Sequence, residues 1–316
     1  MLLDERSWQD IAADGYRGRV EFRAPMRDYT YLGIGGDAEV LTIPEEPLSL
    51  QNLLGALREK NVPFTIIGGG TNILVLDGGI EGVVILLRVF RRIEVIEQSG
   101  SEVELFAEAG VPLQKLVNFC KEKGYSGLEG LSGIPGTVGG AVCGNAGSFG
   151  CEMKDVVISV AMMHGDGRLG RYKREELGFG YRKSRITGSE IVLSANLRFR
   201  KEEAETVASR TEKFLLEKKM KQPLSRKSAG CVFRNPEGLS AGRLIDEAGC
   251  KGLRMGDVEV STVHANFFVN RGEGTASDYL GLMEKVVTIV NRKSGILLEP
   301  EIRVIGRPGV PVEREK

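Results

Sequence analysis

The chain predicts an α+β protein built from more than one domain. Three observations carry that reading. Short β-like runs crowd the stretches 64–109 and 156–199, two glycine clusters punctuate them, and a charged helical segment at 201–221 precedes a last third of different character. With 316 residues, 41% of them hydrophobic, the chain can bury a substantial core and suggests two or three domains.

In chain order, a short extended stretch comes first. Leu50, Leu53, Leu54 and Leu57 then recur at i, i+3, i+4 and i+7, which predicts a helix over PLSLQNLLGALREKN. The runs FTII (64–67), ILVL (73–76), GVVILLR (82–88), RIEVIE (92–97) and EVELFAEA (102–109) read as strands separated by Gly, Asn and Asp. A helix follows from Val111, with Leu113, Leu116, Val117 and Cys120 on one face and Gly124 as its terminating residue. Beyond a glycine-rich stretch, VVISVAMMH (156–164) and EIVLSANLRF (190–199) read as further strands of the same sheet system. The charged segment from Lys201 to Lys221 is helical in pattern and is closed by Pro223, as a helix linking two domains would be. The last third holds a helix starting near Ser240, a strand ANFFVN (265–270), and a longer helix after Thr275. There Thr275 and Asp278 form a capping-box pattern, and Leu280, Met283, Val287 and Val290 make an apolar stripe. The strand EPEIRVIG (299–306) closes the series, and no internal repeat is visible.

Charge excludes some functions. The 43 basic and 43 acidic residues cancel, leaving no broad basic field for a nucleic acid or an anionic membrane. No apolar run approaches the roughly eighteen residues that span a bilayer. The start, MLLDERSWQD, lacks the basic-then-apolar order of a signal peptide, so a cytoplasmic location is expected. The five cysteines form no close pairs and read as free thiols, and with only His164 and His264 as histidines a metal site is not expected.

Between Ser132 and Gly150 the chain reads SGIPGTVGGAVCGNAGSFG, seven glycines in nineteen residues. Such a segment lets backbone N–H groups converge on an anion with no Cβ in the way. Ile134, Val138, Val142, Phe149 and the rigid Pro135 argue that it is packed and ordered. A second cluster, Gly68-Gly69-Gly70-Thr71-Asn72, also follows a strand. It lacks the lysine of a P-loop, and it runs into ILVLDGGIEGVVILL instead of the helix that a Rossmann turn opens. Taken alone, the two loops leave dinucleotide and nucleotide-sugar binding both open.

Five segments together carry a resemblance. GGGTNILV (68–75), SGIPGTVGGAVCGNAGSFG (132–150), FGYRKS (179–184), SAGCVFRNP (228–236) and LEPEIRVIG (298–306) stand in the order and approximate spacing of the UDP-N-acetylenolpyruvoylglucosamine reductase (MurB) family. The resemblance spans nearly the whole chain. It implies a three-domain flavoprotein: an FAD-binding region of the vanillyl-alcohol-oxidase type, in two parts at 1–60 and 61–205, and a substrate-binding α+β domain at 206–298. The strand at 299–306 is free to return to the first part. The implied reaction passes a hydride from NADPH to FAD and then to the enolpyruvyl group of UDP-N-acetylglucosamine-enolpyruvate, making UDP-N-acetylmuramate for peptidoglycan. NADPH and the UDP-sugar are the expected small-molecule partners.

Three positions match the family's catalytic residues. Cys231 takes the place of the proton donor, a serine in many relatives. A thiol with an ordinary pKa near 8.5 is mostly protonated at neutral pH yet acidic enough to donate. Arg182 matches an arginine facing the substrate carboxylate, where a planar guanidinium offers a bidentate, charge-assisted bond. Glu301 matches the third position. Strand periodicity does not separate it from Glu299, so that choice rests on the resemblance. By the same resemblance Tyr181, Lys221, Asn235 and Asn266 are expected at the substrate, with Lys221 and Asn235 near the diphosphate and sugar-nucleotide. FAD is expected on Gly68, Gly69, Gly70, Thr71 and Asn72, and on Ile134, Pro135, Gly136, Thr137, Gly139 and Gly140.

Two departures qualify the likeness. Only Ile186-Thr187-Gly188-Ser189 separates FGYRKSR from EIVLSANLRF, so the loop bearing a lid tyrosine in some members is absent, as in the family's shorter second type. Neither histidine lies in a glycine-rich loop, so the FAD is expected to be non-covalent. A flavin oxidase or dehydrogenase of the same fold group, acting on a small alcohol or sugar acid, is the alternative. It calls for a base where Cys231 stands.

Overall fold

The computed structural model describes residues 3, 5–12 and 15–309. They form two compact units, neither of them continuous in sequence. The first comprises Met1–Phe22, Val40–Gly69 and Gly82–Lys218, and the second Arg23–Glu39, Gly70–Glu81 and Lys219–Lys316.

The first unit is built on the predicted sheet. Its strands lie in the order Leu169–Lys173, Val157–His164, Glu190–Lys201, Glu102–Glu108 and Ile93–Ser99, with the short Tyr125–Ser126 added beside Glu190–Lys201. These pairings are antiparallel. Alternation sets the buried face: Val103, Leu105 and Ala107 point inward, and Ala195, Leu197 and Phe199 join them from the neighbouring strand. The helix Pro47–Glu59 buries all four leucines of its stripe. Pro112 precedes the helix Leu113–Lys123, and Gly124 ends it in the left-handed region at φ +69°. Phe64–Ile67 pairs in parallel with residues 83–86 and delivers the chain to Gly68.

Unpredicted, a short helix Val138–Cys143 lies inside the glycine-rich stretch. Its two glycines are poor helix formers, so propensity hides it. Thr137 caps it by accepting the Gly140 N–H. The predicted linker helix runs from Ala204 to Lys221. Near its start Arg210 reaches back to the buried Glu129 at 2.7 Å. Burial alone would raise the Glu129 carboxyl, but bonds from Arg210, Gly127 and Ser126 hold it below the usual range.

The second unit has its own antiparallel sheet, ordered Lys227–Cys231, Phe267–Asn270, Val258–Val260 and Arg254–Met255. The helices Ala241–Glu247 and Ala276–Ser294 contribute Ile245, Tyr279, Leu282 and Val286 to the same buried cluster as Val258, Val260 and Phe268. Ser240 caps the first helix, and the expected capping box of Thr275 and Asp278 opens the second. Asp77 adds two acceptors to that second helix start, taking the N–H groups of Ala276 and Ser277 at 2.8 and 2.9 Å.

The C-terminal strand departs from the expectation. Only Arg303–Ile305 is a strand, and it pairs in parallel with Ile73–Val75 of the same unit. Residues 299–301 instead run beside 232–234 around a single antiparallel bridge, Phe233 to Pro300. Proline has no N–H to continue the ladder, which divides the predicted strand in two.

Candidate active site

In the first unit, Gly68 at the start of one glycine loop approaches the other, glycine-rich segment. A Cβ on Gly68 would stand 2.8 Å from Thr137 Oγ1 and 3.8 Å from the Gly140 backbone. Such close approach needs residues without side chains, and it leaves the bare backbone surface on which a dinucleotide can lie. The cradle is preformed. Gly133 N–H donates to Gln114 Oε1, Ile134 N–H to Leu131 O, Val138 N–H to Val111 O, and Gly139 N–H to Ala109 O. Gln114 Nε2 also donates to the carbonyls of Leu131 and Ile134 at 3.0 and 2.7 Å. Gly139 is buried against Ala109, whose Cβ would lie 2.8 Å from a Cβ at 139, so its amide serves the loop and the expected FAD contact there cannot use that N–H. Pro135 and Gly140 are exposed, and Ile134, Gly136 and Thr137 half-buried, as a binding surface requires.

Arg182 is held on a tight turn in this unit. Gly180 and Lys183 exchange backbone hydrogen bonds at 3.0 and 3.2 Å, and Arg182 between them has φ +54°. A non-glycine residue in the left-handed region is strained by roughly 1–2 kcal/mol and persists where its surroundings impose it. Here they do. The buried Asn145 donates from Nδ2 to Gly180 O at 3.0 Å, and Ser184 Oγ donates to Cys143 O at 2.7 Å, tying the turn to the glycine-rich segment. The guanidinium lies 5.2 Å over the exposed Tyr181 ring. Its Nη1 is 3.0 Å from the point where a Cβ on Gly147 would be.

In the second unit, Cys231 sits at the end of its strand, just after a register shift against the 267–270 strand and after Gly230 at φ +77°. Such an irregularity re-aims the side chain that follows it. The backbone around Cys231 is fastened on both sides. Val232 N–H donates to Asn266 O at 2.8 Å, and Val232 O accepts the Glu301 N–H at 2.7 Å. Asn72 Nδ2 donates to Glu301 O at 3.3 Å, and Arg303 N–H donates to Asn72 O at 3.2 Å. Tyr279, wholly buried in the core below, has its hydroxyl pushed far above the usual range by burial and then by the Cys231 charge.

The remaining predicted residues take different places. Asn266 is 1% exposed, and both ends of its amide are engaged: Oδ1 accepts the Phe233 N–H at 2.9 Å and Nδ2 donates to Phe233 O at 2.7 Å. In this geometry its amide clamps the backbone of the Cys231 segment. We expect Asn266→Ala to lower stability by roughly 2–4 kcal/mol, because two buried backbone groups lose their partners. Urea titration followed by circular dichroism checks this; an unchanged midpoint would refute it. Asn235 and Lys221 are exposed, and Asn235 Oδ1 accepts the Ala241 N–H at 3.0 Å. Gly70 is buried with its carbonyl on Tyr31 N–H at 2.8 Å, whereas Thr71 is half-buried and Asn72 exposed. A cavity of about 320 Å³ in the second unit is lined by Arg226, Lys227 and Arg271 among others, and no predicted site residue lines it. Sequence reasoning missed Gln114, Asn145 and Lys218, each of which acts on backbone groups distant along the chain. Among the described residues no group of acidic, histidine and cysteine side chains is placed to hold a metal ion, and no helix is long and apolar enough to cross a membrane.

The glycine-lined backbone of one unit and the thiol-bearing segment of the other are compatible with a flavin-dependent oxidoreductase, the class that the family models and relatives show. A family model described as an FAD binding domain matches residues 38–172, and one described as the UDP-N-acetylenolpyruvoylglucosamine reductase C-terminal domain matches 222–305. The chain is 45% identical to the UDP-N-acetylenolpyruvoylglucosamine reductase of Rubrobacter xylanophilus, across 91% of this chain and 96% of that one. It is 42% identical to that of Geotalea uraniireducens, across 96% and 99%. The crystal structure of the Thermus caldophilus reductase (MurB) superposes with a TM-score of 0.78 at 42% identity, covering 91% of this chain and 99% of that one. The chain belongs to the UDP-N-acetylenolpyruvoylglucosamine reductase family. Agreement over nine-tenths of its length leaves the oxidase alternative disfavoured.

Proposed function

We propose that Arg182, Cys231 and Glu301 carry the chemistry of this reductase, and that the residues from Gly68 to Asn72 and from Ile134 to Gly140 bind FAD without a covalent bond. The reaction is the NADPH-dependent reduction of UDP-N-acetylglucosamine-enolpyruvate to UDP-N-acetylmuramate in peptidoglycan synthesis. FAD, when bound, relays the hydride between NADPH and the enolpyruvyl group. The protein's tasks are to hold charge and to supply one proton.

Hydride addition at one carbon of the enol ether leaves electron density on the neighbouring carbon and its carboxylate. Arg182 meets that carboxylate with a guanidinium whose direction its strained turn sets. The Cys231 thiol gives its proton to the neighbouring carbon, becomes a thiolate, and is reprotonated from solvent. Glu301 stands by the developing acid and shares a proton with it. Tyr181 packs against the Arg182 guanidinium at the substrate. Lys221 and Asn235 suit the diphosphate and sugar-nucleotide. The same proposal includes two FAD-binding parts at 1–60 and 61–205, a substrate part at 206–298, and a cytoplasmic location.

One observation carries the assignment of Cys231 with Glu301. The Glu301 N–H donates to the carbonyl of Val232, the residue after Cys231, at 2.7 Å, so two positions seventy apart in sequence lie on adjacent backbone. The purified protein is expected to be yellow and to oxidise NADPH only when the enolpyruvyl UDP-sugar is added. Equal NADPH oxidation with and without that substrate would sink the proposal.

A further inference from the structure

Lys218 is the buried cation that the proposed mechanism does not use. It lies near the end of the linker helix with 2% of its side chain exposed. Its Nζ donates to Gly130 O at 3.0 Å and to Ser132 O at 2.6 Å, and stands 5.4 Å from the centre of the Phe149 ring. Phe149 in turn stacks on Phe214 of the same helix at 4.8 Å. The ammonium therefore bonds carbonyls at the start of the glycine-rich segment and lies within cation–π range of the ring near its end. Burying a lysine is costly unless its donors are matched, and here the matching acceptors are backbone carbonyls of that segment.

We propose that Lys218 is a positioning residue whose ammonium staples Gly130 and Ser132 to the linker helix and thereby sets the geometry of the segment from Ile134 to Gly140. This rests on the assignment of that segment to FAD. Several charged groups surround the staple. Arg182 from the 180–183 turn and Cys151 from the segment after Gly150 act on Lys218 itself; Glu129, neutralised by Arg210, and Asp155 act on Cys151, and Glu152 on Arg182. Burial first and the Arg182 charge second push Lys218 down to about 8, with Cys151 pulling weakly the other way. Protonated, the lysine is a charged donor to both carbonyls and a cation over Phe149. As pH rises through about 8 it becomes a neutral amine, a weaker donor with no cation–π attraction.

The test uses the flavin-loaded protein and two readouts, hydrogen exchange of the 133–140 amides and the rate of FAD release. In Lys218→Met we expect faster exchange in that segment and FAD release roughly tenfold faster at pH 7, the loss of a charge-assisted pair of bonds. In the parent, release should accelerate between pH 7 and 9, and in Lys218→Arg that rise should vanish because arginine keeps its proton. A structural lysine with no positioning role would leave the parent profile flat. Unchanged exchange in Lys218→Met would overturn the staple; should that variant not fold, parent 133–140 amides whose exchange, corrected for the intrinsic pH dependence, does not rise between pH 7 and 9 would overturn it instead. Faster exchange with unaltered FAD release would support the staple and overturn the assignment of this segment to FAD.

Discussion

Cys231→Ala is expected to leave reduction of the flavin by NADPH within about twofold of the parent while slowing the second half-reaction, transfer to the enolpyruvyl substrate, by roughly 10²-fold or more. The reason lies in what each half-reaction asks of position 231. Flavin reduction needs no proton from it, whereas delivery to the enol ether leaves a carbon that must be protonated. Without the thiol that proton has to come from water. Cys231→Ser keeps a hydroxyl at the same position, so measurable turnover should survive, although serine is a far weaker acid. Residue 231 is only half-buried, so the substitution should move the melting temperature little. Stopped-flow absorbance of the two halves, read separately, is the measurement. Equal slowing of both halves would remove Cys231 from the proton-donor role and make it a structural residue.

Arg182→Ala should lower kcat for the complete reaction by roughly 10²–10³-fold, the cost of removing a charged donor aimed at developing negative charge. Arg182→Lys should recover little of this, because an ammonium does not reproduce the two-pronged bond. The turn supplies an internal control. Arg182 has φ +54°, a conformation that favours glycine, so Arg182→Gly should be as stable as the parent, or more stable by up to about 1 kcal/mol, and still as inactive as Arg182→Ala. Thermal unfolding and steady-state rates on the same preparations separate the two effects. An active Arg182→Gly enzyme would show that the guanidinium is dispensable, and a strongly destabilised one that the turn is not strained as described.

Much of this was legible in the sequence because the information is local. Leucine periodicity over 50–57, the Gly124 terminator, the helix start near Ser240 and the Thr275 and Asp278 capping box concern residues a few positions apart, and each appears in the structure as expected. The apolar runs read as strands at 102–109 and 156–164 likewise appear as strands, over 102–108 and 157–164. What stayed hidden depends on partners far along the chain. Propensity argues against a helix at Val138–Cys143, and bonds from Val138 to Val111 and from Gly139 to Ala109 hold it in place. Pro300 sits inside a good strand pattern, yet its missing N–H divides that strand and turns Glu301 toward the Cys231 segment. Asn266 reads as a polar residue beside an apolar strand, equally suited to a ligand or a backbone clamp. Only its two bonds to Phe233 make it a clamp.

By itself the sequence determined the class of chain, the elements with strong periodicity and caps, the location of the two glycine loops, and, through five motifs, the family. All of these are written in residue type and short spacing. The tertiary structure decided which segments share a unit, since residues 23–39 and 70–81 pack with the last third and not with their sequence neighbours. It also placed Glu301 beside Val232 and Asn72, strained Arg182 into its turn, and buried Lys218 against the carbonyls of Gly130 and Ser132. The physical reason is the same in each case. A buried polar group must find a partner, and no pattern within a dozen residues shows which distant carbonyl or amide will supply it.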